Sequence, residues 1–540
     1  MNLMRTDKTS FTDKELLKII EDYEMEVVPH FDKLWHYYQG KNDKILNRKM
    51  ASDATSGGRV NSENTFSSGS SNKNTPDNLV PIPYGRKIIT TFTGYAYRPK
   101  YITYKPIEVR QELEYLVQDS SIKDVEFASK EEIMKNLPPE TLNKIKKDKE
   151  AYIELMKCFR LNNEHIKTSR AGRNTGIFGV SYELLYTTAV IDTKNLKKKA
   201  EVKFITVDPR EMILLYDFDS DPKKVCAIRF YRVTDDVFFV EVYYKDRIEK
   251  WQRTKNQESR AWEMKLTETQ NNFFGEIPVV AFYFGDEMIG LIEPVIPLID
   301  CYDILISDSM NEFDRFANAY LILKKMSLVD PVHRKVPGAF AAALANLKRY
   351  RVFENVDEKA EIKFLTKDIP HEYIQFMSAW VQKQIHTQSH VPDFAGEKFT
   401  GASGIAIQRL LFDFENVCSD AEADFDVALY ERMRMIYSIY NKLSRVSGGD
   451  YSVINIAHKR NSPLNLKEFA DTAVQMKAAG FSSYLVADIM PDDVIPDVEE
   501  ELERQRKQAE DMFSDVEQDD GEPTPKEDED VEPDEGDENE

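Results

Sequence analysis

Three stretches of the chain carry residue types at spacings that support chemistry. Gly396-Glu397-Lys398-Phe399-Thr400-Gly401-Ala402-Ser403 has the two glycines and the serine of a phosphate-binding loop and runs into a helical pattern. Its lysine is missing: Ala402 stands where an ammonium must reach the terminal phosphates, and no strand of parallel type precedes it. The stretch therefore reads as a flexible loop, and any ATPase as a separate protein. Asp217, Asp219 and Asp221 alternate as calcium ligands do, but the sixth and twelfth positions, which call for Gly and Glu, hold Pro222 and Ile228. That pattern reads as a charged turn between strands. Gly401-Ala402-Ser403-Gly404 resembles a nucleophile elbow until Ile405 replaces the closing glycine.

No metal or cofactor is expected elsewhere. His30, His36, His386 and His390 fall in helical stretches without a Glu-x-x-His partner. Cys158, Cys226, Cys301 and Cys418 are too far apart for zinc or dithiol spacing and read as reduced, half-buried packing residues. The chain thus reads as non-enzymatic.

These residues need a scaffold, and 540 residues with 41% hydrophobic content can bury a core of several domains. Residues 1–10 hold Arg5, Asp7 and Lys8 without an apolar run, so no signal peptide or membrane segment is expected, and the protein should be made in the cytosol. Of the net charge of −22, the last thirty residues hold 16 acids against Lys526, or −15, leaving −7 for residues 1–510. Such a tail cannot offset its ordering entropy and is expected to be disordered. No basic stripe interleaved with aromatics appears, which argues against tight sequence-specific DNA binding.

Apolar positions at helical spacing predict one helix over 11–38, closing at Gly40. Residues 51–76, rich in Ser, Asn and Gly, read as a long mobile loop. Helices are expected over 107–117 and 131–161, with a boundary at Pro138-Pro139. Short β-branched runs over 180–284 predict an antiparallel sheet. Ile296, Ile299, Tyr302, Ile306, Met310, Phe313, Ala317 and Tyr320 mark an amphipathic helix whose other face carries Asp300, Asp303, Asp308 and Asp314. A small α/β insertion follows, with a helix over 338–347 and strands over 349–353 and 361–365. Then come a helix over 371–386, a Gly- and Pro-bearing loop, a very long helix over 405–440, and a helical array over 464–512. The expected class is α+β.

Short phrases accompany this order: Tyr37-Tyr38-Gln39-Gly40-Lys41-Asn42-Asp43-Lys44-Ile45; Tyr84-Gly85-Arg86-Lys87-Ile88-Ile89 with Thr93-Gly94-Tyr95-Ala96-Tyr97-Arg98-Pro99; Gly176-Ile177-Phe178-Gly179-Val180-Ser181-Tyr182-Glu183; Asp208-Pro209-Arg210-Glu211; Asn272-Phe273-Phe274-Gly275-Glu276-Ile277-Pro278; and Ala402-Ser403-Gly404-Ile405-Ala406. Over residues 15–510 the chain resembles the portal proteins of tailed double-stranded DNA bacteriophages, especially long-tailed phages of Gram-positive hosts. The resemblance implies a wing over 1–293, stem helices over 294–320 and 370–388, a clip over 321–369, a tunnel loop over 389–404, a long wing helix over 405–454, a crown over 455–512 and the acidic tail over 513–540. It implies a homo-dodecameric ring at the portal vertex of the virion capsid, assembled in the host cytoplasm, that passes double-stranded DNA without regard to sequence. Partners implied are the terminase large subunit, a head-completion or adaptor protein, scaffolding protein and major capsid protein, with no membrane. On this resemblance Phe394, Glu397, Lys398, Phe399, Thr400 and Ser403 face the DNA channel, Gly396, Gly401 and Gly404 act as loop hinges, and Arg334, Lys335, Lys348, Arg349 and Arg351 dock partners at the clip. Two other readings stay open here: a phage-encoded metal-dependent nuclease or nucleotide-handling enzyme using Asp217, Asp219 and Asp221, and a helical scaffold without a channel.

Overall fold

Local capping signals set the first boundaries in the computed structural model, which describes residues 3–45, 78–100, 102–106, 139–191, 198–256, 261–317, 320–324, 361–365, 371–394, 404–445, 448–460 and 466–490, with isolated positions within 338–342 and 494–508. After the two-residue strand β1 (Met4–Arg5), helix α1 (Asp13–Glu26) opens on a capping box: the Glu15 N–H donates to Thr12 Oγ1, and the Thr12 N–H donates back to Glu15 Oε2. Helix α2 (Val28–Gln39) follows at once and stops at Gly40, left-handed at φ 78°. The single helix expected over 11–38 is therefore two. Pro29 has no N–H to continue α1 but suits the first turn of a new helix, and the chain turns at Val27.

Helix α3 (Tyr84–Ala96) buries Ile88, Ile89 and Phe92, and leads to β2 (Ile102–Pro106). Helices α4 (Pro139–Asn162) and α5 (Glu164–Phe178) are separated by Asn163 in the left-handed region at φ 51°. Residues 107–138 lie outside the described residues, as do 46–77, so the helix over 107–117 and the loop over 51–76 do too.

The β region forms two sheets rather than one. Strands β3 (Val180–Ile191) and β4 (Lys198–Val207) pair antiparallel, and β10 (Val279–Tyr283) joins β3's other edge. Between them, β5 (Met212–Tyr216), β6 (Lys224–Thr234), β7 (Val237–Tyr243), β8 (Arg247–Lys255) and β9 (Trp262–Asn271) form an antiparallel meander, to which β1 adds in parallel beside β5. Helix α6 (Ile296–Ala317) runs into β11 (Tyr320–Lys324), which pairs with β12 (Glu361–Leu365), and helix α7 (His371–Gln388) follows. The helix expected over 338–347 and the strand over 349–353 fall essentially outside the described residues.

Helix α8 (Gly404–Lys442) has 39 residues, about 58 Å at 1.5 Å per residue. It lies on β10, with Phe425 against Phe282 at 4.7 Å and Tyr97 at 4.6 Å between ring centroids. Strand β13 (Ile454–His458) returns to pair with β2. Residues 462–540 form a second unit, whose helices α9 (Leu466–Ala478) and α10 (Ser483–Asp488) pack together across Gly480, φ 86°. The fold is α+β. No helix among the described residues is long and apolar enough to cross a membrane.

Candidate functional site

Helices α6 and α7 pack as an antiparallel pair. At one end the Phe313 ring stacks on His371 (6.0 Å, 28°); at the other, Tyr84 stands edge-on to both Tyr302 (5.1 Å) and His386 (6.1 Å). Their sealed side includes Ile296, Ile299, Val381 and Ile385. Large apolar residues also stand exposed on both helices: Met310 and Phe313 on α6, and Tyr373, Phe376 and Trp380 on α7, each 46% exposed or more. The three on α7 follow i, i+3, i+7 spacing and therefore share one face.

The polar face of α6 is not uniformly solvated, although Asp308 on it is exposed. Asp300 and Asp303 are buried. The Tyr37 hydroxyl donates to Asp300 Oδ1 at 2.6 Å, and Asn42 Nδ2 donates to Asp303 Oδ2 at 2.8 Å. Along the same face, the N–H groups of Ile82, Val80 and Asn78 donate in turn to Asp303 Oδ1 (2.9 Å), Ser307 Oγ (3.0 Å) and Asn311 Oδ1 (2.6 Å). Four helical residues advance about 6 Å and two extended residues about 6.6 Å, so side chains at i, i+4 and i+8 match alternate amides of an extended segment. Burial pushes the Asp303 carboxyl up; the bonds from Asn42 and the Ile82 N–H oppose this, and nearby Asp300 adds to it. This ladder ties residues 78–82 to the helix.

Residues 17–512 match the phage portal protein family, SPP1 Gp6-like. The chain belongs to that portal family. It is 22% identical over 328 residues to a portal protein of Bacillus phage SPP1, a stretch that covers 57% of this chain and 61% of that relative. The chain thus spans about three fifths of the length of the curated relative it matches.

The portal-like phrases that fall wholly among the described residues gather around the helix pair and the sheets beside it. Gly40 ends α2 so that Asn42 reaches Asp303. Gly85 lies where a Cβ would stand 2.7 Å from the Tyr37 carbonyl oxygen. The Gly176 carbonyl accepts the Leu291 N–H at 2.9 Å, fixing the segment that enters α6. Arg210, 5.3 Å from the Trp35 ring centre, pairs with Asp32 and Asp208. Asn272 donates to the Tyr244 and Glu276 carbonyls, and Glu276 meets Arg434 of α8 at 2.6 Å. Arg432, not singled out by sequence, joins α8 to β3 and α5 through Glu183 and Glu164. An arginine on a helix gives no sequence signal for burial, so only its spatial partners reveal it.

Of the candidate channel residues, Phe394 is described and 42% exposed, and Gly404 opens α8. Gly396, Glu397, Lys398, Phe399, Thr400, Gly401 and Ser403 lie outside the described residues, as do Arg334, Lys335, Lys348, Arg349 and Arg351. The acidic trio is a strand-connecting turn: Asp217 Oδ1 accepts the N–H groups of Asp219 (3.3 Å) and Lys223 (2.9 Å) between β5 and β6. Among the described residues no three carboxylate, imidazole or thiol side chains are gathered as metal ligands, so the metal-dependent enzyme reading finds no support in this arrangement. Asp219→Ala should shift stability by less than about 0.5 kcal/mol, as exposed substitutions do, and magnesium or manganese should not raise the melting temperature of either protein; calorimetry with and without metal checks both. Cys158, Cys226 and Cys418 are fully buried thiols, while Cys301 is exposed rather than half-buried.

Proposed function

We propose that identical copies of this chain close into a twelve-membered ring at one capsid vertex, whose axial channel passes double-stranded DNA during packaging and ejection. The observation that carries this is the α6–α7 pair, with its exposed aromatic residues and the β11–β12 pair at one end. A monomer gains nothing from leaving Tyr373, Phe376 and Trp380 in water, whereas cyclic assembly would cover such faces on every copy. On this reading residues 294–320 and 370–388 are the stem, 321–369 the clip, 389–404 the tunnel loop, 455–512 the crown, and 1–293 with the long helix over 405–454 the wing. Terminase and head-completion proteins dock at the clip; scaffolding and major capsid proteins meet the wing.

Charge favours passage over grip. Helix α6 has one cation, Arg315, against five carboxylates, of which Asp300 and Asp303 are buried, and α7 has Lys383 against Glu372. Each Lys or Arg contact to a phosphate releases counterions and deepens the hold on the duplex, so a stem with few cations lets DNA slide. No step here breaks or makes a covalent bond, and the ring's role is structural.

Electron microscopy of the purified protein, with mass determination, tests the reading. Twelve copies of 62.6 kDa would give particles of about 750 kDa with a central hole. A single subunit at every concentration, or particles without a pore, overturns it.

A further inference from the structure

A groove of about 440 Å³ lies between the 284–294 segment, the end of α7 and the middle of α8. Phe284, Ile289, Val417 and Ala421 supply its apolar lining, and Asp286 and Asp420 stand exposed at its rim. Neither rim carboxylate has a cationic partner among the described residues. Asp424, beside them, has its carboxyl pushed up by burial, with Asp286 and Asp420 adding to the effect, so the mouth is a region of concentrated negative charge.

The same helix carries the complementary chemistry eleven residues earlier. Arg409 is exposed, and no described residue pairs with it. It is flanked by Leu410, 37% exposed, and Phe412, 64% exposed, two large apolar side chains left in water at the start of α8. At 1.5 Å per residue, Arg409 lies about 16 Å along the helix from Asp420 and cannot fold back onto it. One copy therefore offers a cationic, apolar projection and an acidic, apolar recess that it cannot join to each other.

We propose that this groove is the socket for the Arg409–Phe412 segment of a neighbouring copy, with Arg409 meeting Asp286 and Asp420 while Leu410 and Phe412 cover the apolar lining. Projection and recess are different patches, so the contact is heterologous, the type that closes rings when repeated around an axis. The inference rests on the ring reading above and specifies one of the contacts between subunits.

Charge reversal in the full-length protein tests it. Arg409→Glu and Asp420→Lys should each raise the protein concentration needed for half-assembly about tenfold or more, because like charges then face each other at every interface. Arg409→Glu/Asp420→Lys in one chain should assemble at a concentration several-fold lower than either single variant, since that pair is restored with its signs exchanged while Asp286 keeps its native charge. An equimolar mixture of the two single variants should also assemble: when the two kinds of subunit alternate, one interface joins the two reversed side chains to each other and the next joins the native Arg409 to the native Asp420. Mass photometry and circular dichroism read assembly and folding separately, and recovery in the mixture shows that each variant is folded. If wild type forms rings while both single variants assemble equally well, or if neither the double variant nor the mixture recovers, the socket inference fails and the ring reading stands. Absence of rings from wild type removes both.

Discussion

Arg432→Met should destabilise the 1–461 unit by about 3–5 kcal/mol, the range for breaking a fully buried ion pair by removing one partner. Arg432 and Glu183 are both 0% exposed. The guanidinium grips Glu183 through two parallel bonds of 2.7 and 2.9 Å, and its third nitrogen reaches Glu164 at 3.1 Å and Thr168 at 2.9 Å. Phe204 and Phe282 rings stand 5.0 and 5.3 Å from it, so no water replaces a lost partner. Burial opposes the charge on Arg432, but Glu183, Tyr104 and Glu164 more than offset this and keep it protonated. Methionine would fill much of the volume and leave the Glu183 carboxylate stranded. Arg432→Met/Glu183→Leu should recover at least half of the loss, because it removes the desolvation penalty of the closest pair, while Glu164 keeps the Tyr104 and Thr168 hydroxyls as donors. Urea unfolding followed by fluorescence checks both; a single-variant loss below about 1 kcal/mol would show that the pair is not what holds α8 to β3.

The same residues show how far the sequence can be read. The apolar rows of α6 and α8 stand out because a 3.6-residue period survives any tertiary context. What covers the polar row of α6 does not, since Tyr37 and Asn42 lie 263 and 261 residues away from the aspartates they meet. Periodicity reports contrast between faces, not the identity of what lies opposite. Within the sheet region expected over 180–284, β8 and β9 stand out less as individual strands for a related reason. Arg247–Lys255 reads as polar, yet Arg253 is 1% exposed, with Glu24 of α1 at 2.9 Å and the Trp262 ring at 4.5 Å. A buried charge matched by a distant partner reverses the usual apolar-inside pattern. The break at Val27 does have a local signal: Pro29 marks a new first turn even though apolar residues continue on both sides. The family phrases are legible as strings; why they contain glycines becomes visible only in space.

Gly179→Ala and Gly94→Ala make that distinction measurable, because both lie in those phrases and should change stability in opposite directions. Gly179 ends α5 at φ 77°, and its N–H donates to the Thr175 carbonyl at 2.8 Å. A Cβ there would stand 2.0 Å from the Met288 carbonyl oxygen and 3.0 Å from the Ile289 nitrogen, both backbone atoms that no rotamer change can move. The left-handed conformation costs a non-glycine residue about 1–2 kcal/mol, and forced backbone displacement about 1–3 kcal/mol more. The expected loss is therefore about 2–5 kcal/mol. It falls where the 288–291 segment leaves the sheet to start α6, so the aim of the helix pair should shift with it. Gly94 sits within α3 with nothing inside 4 Å of its Cβ position and without a positive φ. Alanine there removes only unfolded-state freedom and should stabilise by about 0.5–1 kcal/mol. Denaturation midpoints of the two variants should fall on opposite sides of wild type; equal shifts in one direction would mean that close backbone approach at Gly179 does not explain its place in the phrase.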